Sequence, residues 1–302
     1  MEECSKEPIV SIPSKRKLWL GLTRPRTLFS SLSSVIIALS YAAYCGSFNW
    51  INAILCIIIA ITAQISSNIA NDWLDFKKGS DTPERLGPDR PISLGWLTEK
   101  EVVLALVVSL LIMAVAGIWL VINTTWLLLF VGLAVGLGIF AYSGGPYPLS
   151  YHGLGDLAVL VFFGLVPTIF SFYVITGITP DTTIWHLAFA VGFSSTNILI
   201  VNNYRDYHED LKSGKKTSIV RFGIDFAPRF YMTCGLLSIM LLYPIFSSWG
   251  FIFVIFYLLL FLHTYRELNA FEGKMLNKTL GHTARNVFFL SLLVIILLIL
   301  KK

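Results

Sequence analysis

The sequence predicts an all-α polytopic membrane protein of about nine transmembrane helices, and three features point there. The 302 residues are 55% hydrophobic and only 14% charged, with a mean hydropathy of +0.72, which is far from the makeup of a soluble domain. Apolar residues fall into uncharged runs, most of them near the roughly 20 residues that span a ~30 Å hydrocarbon core. None of these runs alternates with period two. Inside hydrocarbon every backbone N–H and C=O needs an internal partner, so helices are the spanning form that remains.

In chain order the runs lie at Leu28–Gly46, Ile51–Ala70, Val102–Ile122, Trp126–Tyr142, Leu157–Gly177, Ile184–Asn202, Phe230–Phe246, Trp249–His263 and Val287–Leu300. The first is long for a signal-peptide core and no small-x-small site follows it, so it is read as a retained helix. Pro167 and Pro244 predict kinks in the fifth and seventh. Residues 1–27 are expected to be a cytoplasmic tail and lead-in segment, and residues 28–302 a single transmembrane domain. Cys4, Cys45, Cys56 and Cys234 show no CxxC pair or metal-ligand spacing, which favours packing roles.

Orientation follows from the basic residues, because Lys and Arg stay on the cytoplasmic side of short loops. With the N-terminus inside, Lys6, Lys15, Arg16, Lys17, Arg24 and Arg26 precede the first run, and Lys77, Lys78, Arg85, Arg90 and Lys100 follow the second. Arg205, Lys212, Lys215, Lys216, Arg221 and Arg229 follow the sixth, and Arg266, Lys274, Lys278 and Arg285 follow the eighth. The opposite loops, around 47–50, 123–125, 178–183 and 247–248, carry no Lys or Arg. The net charge of +5 and pI near 9.0 therefore describe one membrane face and not a nucleic-acid surface.

Acidic residues on that face break the pattern. "NDWLDFKKGSD" ends the second run with Asn68, Asp72 and Asp75 at i, i+4 and i+7, and adds Asn71 and Asp81. "NNYRDYHED" ends the sixth, where Asn202 or Asn203, Asp206 and Asp210 repeat the spacing, so each set lines one helical stripe. Asp at a helix C-terminus opposes the macrodipole, which makes simple capping a weak account of two such clusters. Clustered Asp and Asn oxygens suit a hard divalent cation such as Mg²⁺, one ion per cluster. Arg85, Arg90, Lys212, Lys215, Lys216 and Arg221 stand ready to bind a diphosphate bridging the ions, although each also satisfies the positive-inside rule. A diphosphate ester whose tail needs a membrane is a polyprenyl diphosphate.

These motifs resemble the paired Asp-rich motifs of the UbiA superfamily of intramembrane prenyltransferases, and the likeness runs from "RPRT" at Arg24–Thr27 almost to the C-terminus. "KGSDTPERLGPDRP", "YSGGPYPLSYHGLGDLAVLVFFG" and "LNKTLGHTAR" are similar to the branch that prenylates 1,4-dihydroxy-2-naphthoate in menaquinone biosynthesis. One departure fits that branch: hydroxybenzoate-prenylating relatives carry a Tyr-Pro-x-x-Lys-Arg loop, whereas "YPLSYHGLGD" has no Lys or Arg.

The resemblance implies a bundle in a bacterial inner membrane, with N-terminus and active site toward the cytoplasm. It implies catalytic Asp72, Asp75, Asp206 and Asp210, and two Mg²⁺ ions held by those acids with Asn68, Asn71, Asp81 and Asn202. Diphosphate contacts would come from Arg24, Arg85, Arg90, Lys212, Lys215 and Lys216. Tyr142, Tyr147 and Tyr151 would offer π-faces to a carbocation-like carbon, or else sit in the interfacial aromatic belt. Asp156 reads equally as a site residue or a helix N-cap, and His208 as an acid or base near neutral pH or, the favoured reading, a solvated interfacial side chain. An ion-coupled transporter also uses broken helices and acids, but places its ionisable groups near the bilayer midplane and not beside basic loops.

Overall fold

The computed structural model describes residues 13–79 and 85–302, and among them every regular element is helical. Asp81 lies outside the described residues. The helices are α1 Lys15–Thr23, α2 Pro25–Tyr44, α3 Trp50–Lys78, α4 Glu99–Asn123, α5 Leu128–Ala141, α6 Gly155–Val159, α7 Val166–Thr176, α8 Thr182–Arg205, α9 Tyr207–Lys212, α10 Ser218–Phe222, α11 Phe226–Met240, α12 Gly250–Ala270 and α13 Leu276–Lys301. A π-helical segment, Leu160–Leu165, joins α6 to α7 without a break.

Among the described residues, eight helical stretches are long and apolar enough to cross a membrane. The expected ninth, α5, has 14 residues and rises only about 21 Å. It still returns the chain to the acidic end of the bundle. There α4 begins, with Glu99 bound by Lys77 (2.6 Å) and by the Trp73 indole (2.9 Å), and Tyr151, beyond α5, packs under Lys78 at 4.3 Å from its ring centre. At the far end Trp50, Trp126, Trp185 and Trp249 stand exposed, as an interfacial aromatic belt does.

Between helices, where lipid offers no hydrophobic drive, small residues and polar pairs hold the contacts. Gly164 and Gly192 bring the π segment against α8 so closely that a Cβ on Gly164 would lie 2.5 Å from the Gly192 Cα. Ser66 of α3 pairs with Ser109 of α4 (2.6 Å), and Asn286 of α13 donates to Thr264 of α12 (2.8 Å). Pro167 has no N–H for the carbonyl four residues back, Phe163, and the Ser34 hydroxyl of α2 donates to that carbonyl instead. The kink expected at Pro167 is thus a π segment capped from a neighbouring helix. Pro244 lies in a 3₁₀ turn, Tyr243–Ile245, just beyond the end of α11.

Candidate active site

The last three turns of α3 carry Asn68, Asn71, Asp72 and Asp75 on one stripe, with Asp72 and Asp75 2% and 5% exposed. Uncompensated carboxylates are not tolerated at such depth, and cations have come to them. Arg90 reaches both, Nε to Asp72 at 3.0 Å and an Nη to Asp75 at 2.8 Å, and Arg24 also pairs with Asp72. Arg24 sits at the junction of α1 and α2 with φ +48°, a left-handed conformation made less comfortable by Pro25 after it. Backbone strain of this kind persists where surrounding contacts impose it. Asn68 adds to them, its amide donating to the Thr23 carbonyl (3.0 Å) and the Thr27 hydroxyl (3.2 Å) while its Oδ1 accepts from Gln64. The Asn71 Oδ1 is buried with no hydrogen-bond partner.

The second cluster lies at the junction of α8 and α9. Arg205, 4% exposed, grips Asp206 through two nitrogens at 2.7 Å each and donates to Asn202 at 2.8 Å. Asp210 faces Lys215 at 3.6 Å, and burial pushes its carboxyl up to about 6, against the pull of Lys215. The two clusters are stapled together by the segment before α4. The Leu86 N–H donates to Glu209 (3.1 Å), the Leu86 carbonyl accepts from Asn277 (2.9 Å), and Asn277 in turn accepts from Arg205 (2.7 Å). A Cβ on Gly87 would lie 3.0 Å from a guanidinium nitrogen of Arg205 and 3.2 Å from one of Arg85, so two cations converge on one backbone turn. Lys78 and Lys215, one from each cluster, share the Tyr151 ring at 4.3 and 5.1 Å.

Not every expected residue joins the mouth. Lys212 and Lys216 are exposed, His208 borders the surface, and Tyr147 is 55% exposed and stacks on His152 with ring centres 3.6 Å apart. Asp156 is not an N-cap, since Leu154 holds that position and Asp156 follows inside the helix. Arg205, Glu209 and Asn277 have structural roles that no spacing rule reveals, and Tyr151, expected to face a carbocation, carries two lysines instead.

Below the mouth lies a cavity of about 420 Å³ between α2, α3, α4, α5 and the π segment, almost wholly apolar. Gln64, Ser67 and Tyr142 form its polar end, and Val35, Ile59, Gly117, Gly132 and Phe162 are among its walls. Among the described residues no three His, Cys, Asp or Glu side chains converge as a metal cage. Paired buried carboxylates with an orphan amide oxygen nevertheless suit Mg²⁺, which takes one or two carboxylates and leaves its other positions to water and phosphate oxygens.

An ionic mouth of carboxylates and basic side chains over an apolar cavity defines an intramembrane site for a ligand with a charged head and a hydrocarbon tail. The UbiA prenyltransferase family model matches residues 31–293, and the chain belongs to that family as an integral, multi-pass membrane enzyme. It is 36% identical over 257 residues to the 1,4-dihydroxy-2-naphthoate octaprenyltransferase of Escherichia coli, covering 80% of this chain and 82% of that one. The protein of the same description from Haemophilus influenzae is 38% identical over 237 residues, 76% of each chain. In fold the chain is similar to a UbiA homolog from Archaeoglobus fulgidus bound to DMAPP and Mg²⁺, with TM-score 0.60, 15% identity and coverage of 91% and 98%.

Proposed function

We propose that this protein transfers a polyprenyl group from polyprenyl diphosphate to 1,4-dihydroxy-2-naphthoate, releasing diphosphate and carbon dioxide and giving demethylmenaquinol. The observation that carries the acceptor is the similarity, at 30 to 38% identity over 66% or more of each chain, to five bacterial proteins described as 1,4-dihydroxy-2-naphthoate octaprenyltransferases. The chain from Tyr142 to Gly177 contributes no Lys or Arg of its own to the acceptor side, the cations at its edge being Lys78 and Lys215 of the acidic mouth on the Tyr151 ring. A cation gripping the acceptor's carboxylate would stabilise the ground state and slow loss of carbon dioxide.

Asp72 and Asp75 with Asn68 and Asn71 are the residues to hold one Mg²⁺, and Asp206 and Asp210 with Asn202 a second, Asp81 joining the first set on sequence alone. When bound, the ions supply charge neutralisation to the departing diphosphate. The chain's own cations add to that neutralisation, for Arg24, Arg90 and Lys215 border the acids, and Arg85 and Arg205 flank the Gly87 turn. Lys212 and Lys216, at the surface, meet the diphosphate only on its way in. The prenyl tail lies in the apolar cavity, where water is excluded and Tyr142 offers the reacting carbon an aromatic wall. Tyr147 stays with His152 at the rim. The protein sits in a bacterial inner membrane with the mouth toward the cytoplasm, the side that the basic loops select.

The test is to incubate purified protein with Mg²⁺, a polyprenyl diphosphate and either 1,4-dihydroxy-2-naphthoate or 4-hydroxybenzoate. Carbon dioxide released in step with prenylated naphthoquinol, with hydroxybenzoate nearly inert, is the expected result. Prenylated hydroxybenzoate with its carboxylate retained as the main product would assign a different acceptor.

A further inference from the structure

Tyr142 borders two cavities. One is the apolar cavity of the prenyl tail, and the other, on its far side, has a volume of about 20 Å³ and is lined by Ser150, Asp156, Asn203 and Ser218. The Asp156 Oδ1 and the Ser218 Oγ both border it, buried and without a hydrogen-bond partner among the described residues. The Tyr142 hydroxyl lies close to Gly155, the residue before Asp156, for a Cβ there would be 3.6 Å from it. A polar space above about 10–15 Å³ admits one water, which needs two to four polar partners. Here they are the Tyr142 hydroxyl, the Asp156 carboxylate, the Ser218 hydroxyl and the Asn203 amide.

Charge pairing singles out Asp156. Asp72 and Asp75 are held by Arg90, Asp206 by Arg205 and Asp210 by Lys215, whereas Asp156 has no ion pair among the described residues. It is not needed as a helix cap either. It is a carboxylate with a proton site to offer, one phenol away from the place where the acceptor ring must meet the prenyl carbon.

We propose that Tyr142, one bound water and Asp156 form a proton relay for the ring hydroxyl of the acceptor. The relay rests on the reaction proposed above. As the carboxylate-bearing ring carbon bonds to C1 of the prenyl group, the C1–O bond to diphosphate breaks and the adjacent ring hydroxyl becomes a carbonyl. Its proton passes to the Tyr142 oxygen, which hands its own through the water to Asp156. When the ring–carboxylate bond breaks, its electron pair restores the aromatic ring, carbon dioxide leaves, and the proton returns along the same path to the oxygen. The relay thus ends the cycle as it began, and the apolar cavity never has to host a free hydronium. In this scheme Tyr142 touches the substrate, while Asp156 acts through it.

The experiment compares wild type with the near-isosteric Asp156→Asn and Tyr142→Phe, singly and together, using naphthoate acceptor, polyprenyl diphosphate and Mg²⁺. Each single variant is expected to lower kcat about 100-fold, the low end for general acid–base catalysis, with KM for the prenyl diphosphate unchanged. The double variant is expected to be no slower than the slower single, because the two act as one unit. Asp156→Glu, which keeps the carboxyl, should recover part of the rate, and it keeps the test decisive if the amide variant misfolds. Wild-type kcat in Asp156→Asn, losses that multiply in the double variant, or a Glu variant as slow as Asn would overturn the relay. Failure of the unmutated protein to prenylate the naphthoate would instead overturn the reaction on which the relay rests.

Discussion

Arg90 spans two buried carboxylates while being only 7% exposed itself, so its removal strands charge in a dry place. Breaking such a pair costs about 3–5 kcal/mol. Arg90→Ala should therefore lower the unfolding temperature of the metal-free protein markedly. Thermal unfolding in detergent, with and without Mg²⁺, checks this, since a cation held by Asp72 and Asp75 should restore part of the loss. Asp72→Asn and Asp206→Asn should each remove most turnover and weaken the dependence on Mg²⁺, because an amide cannot oppose the diphosphate's charge through a bound cation. Titrating Mg²⁺ against rate decides it, and wild-type behaviour in both would remove the acids from the site. The spacing of Asn68, Asp72 and Asp75 was legible in the sequence because i, i+4, i+7 is a property of one helix, whereas the single stripe expected for Asn202, Asp206 and Asp210 is divided at Asp206, where α8 ends and α9 begins. Their partners were not legible: the pairing of Arg24 with Asp72, 48 residues apart, and of Arg205 with Asn277, 72 apart, depends on how loops fold back.

At the scale of single elements, α5 and the segment from α6 to α7 differ most from the sequence pattern. The Trp126–Tyr142 run reads as a full span, but only 14 of its residues are α-helical, because Trp126 and Leu127 form a turn before the helix starts. Pro167 signals a kink, yet nothing local specifies that the relief is a π segment, since that depends on Ser34 of another helix. The close approach of Gly164 to Gly192 gives a sharp test. Gly164→Leu drives a side chain into backbone and should cost several degrees of unfolding temperature. Gly117→Leu, where a Cβ meets nothing within 4 Å, should leave the unfolding temperature nearly unchanged and impair turnover of long-chain prenyl diphosphates, because Gly117 lines the tail cavity. Thermal melts and rates with donors of increasing length separate the two. Equal losses of stability in both variants would mean that the cavity is packed shut.

At the scale of the whole molecule, the orientation proposed above rests on charge asymmetry between loops, a sum over many residues that tolerates an error in any one helix boundary. Both acidic clusters, the Gly87 turn and Tyr151 meet at the end of the bundle that carries the basic loops, while the exposed tryptophans ring the other end. That arrangement has a consequence for labelling in intact cells. Cys45 is exposed and follows α2 at the tryptophan end, so it serves as a native reporter of the side that this end faces. A membrane-impermeant thiol reagent should reach it from outside, and should reach a cysteine placed at Asn123 or Ile178 from the same side. Cysteines at Lys78, Lys215 and Lys278 should react only after the membrane is opened. The comparison of Lys78 with Lys215 bears most weight, because these two lysines follow spans separated by four crossings and yet rest on one tyrosine ring. Reaction of one from outside and the other from inside would separate the acidic clusters across the bilayer, and no single diphosphate could then be bound by both.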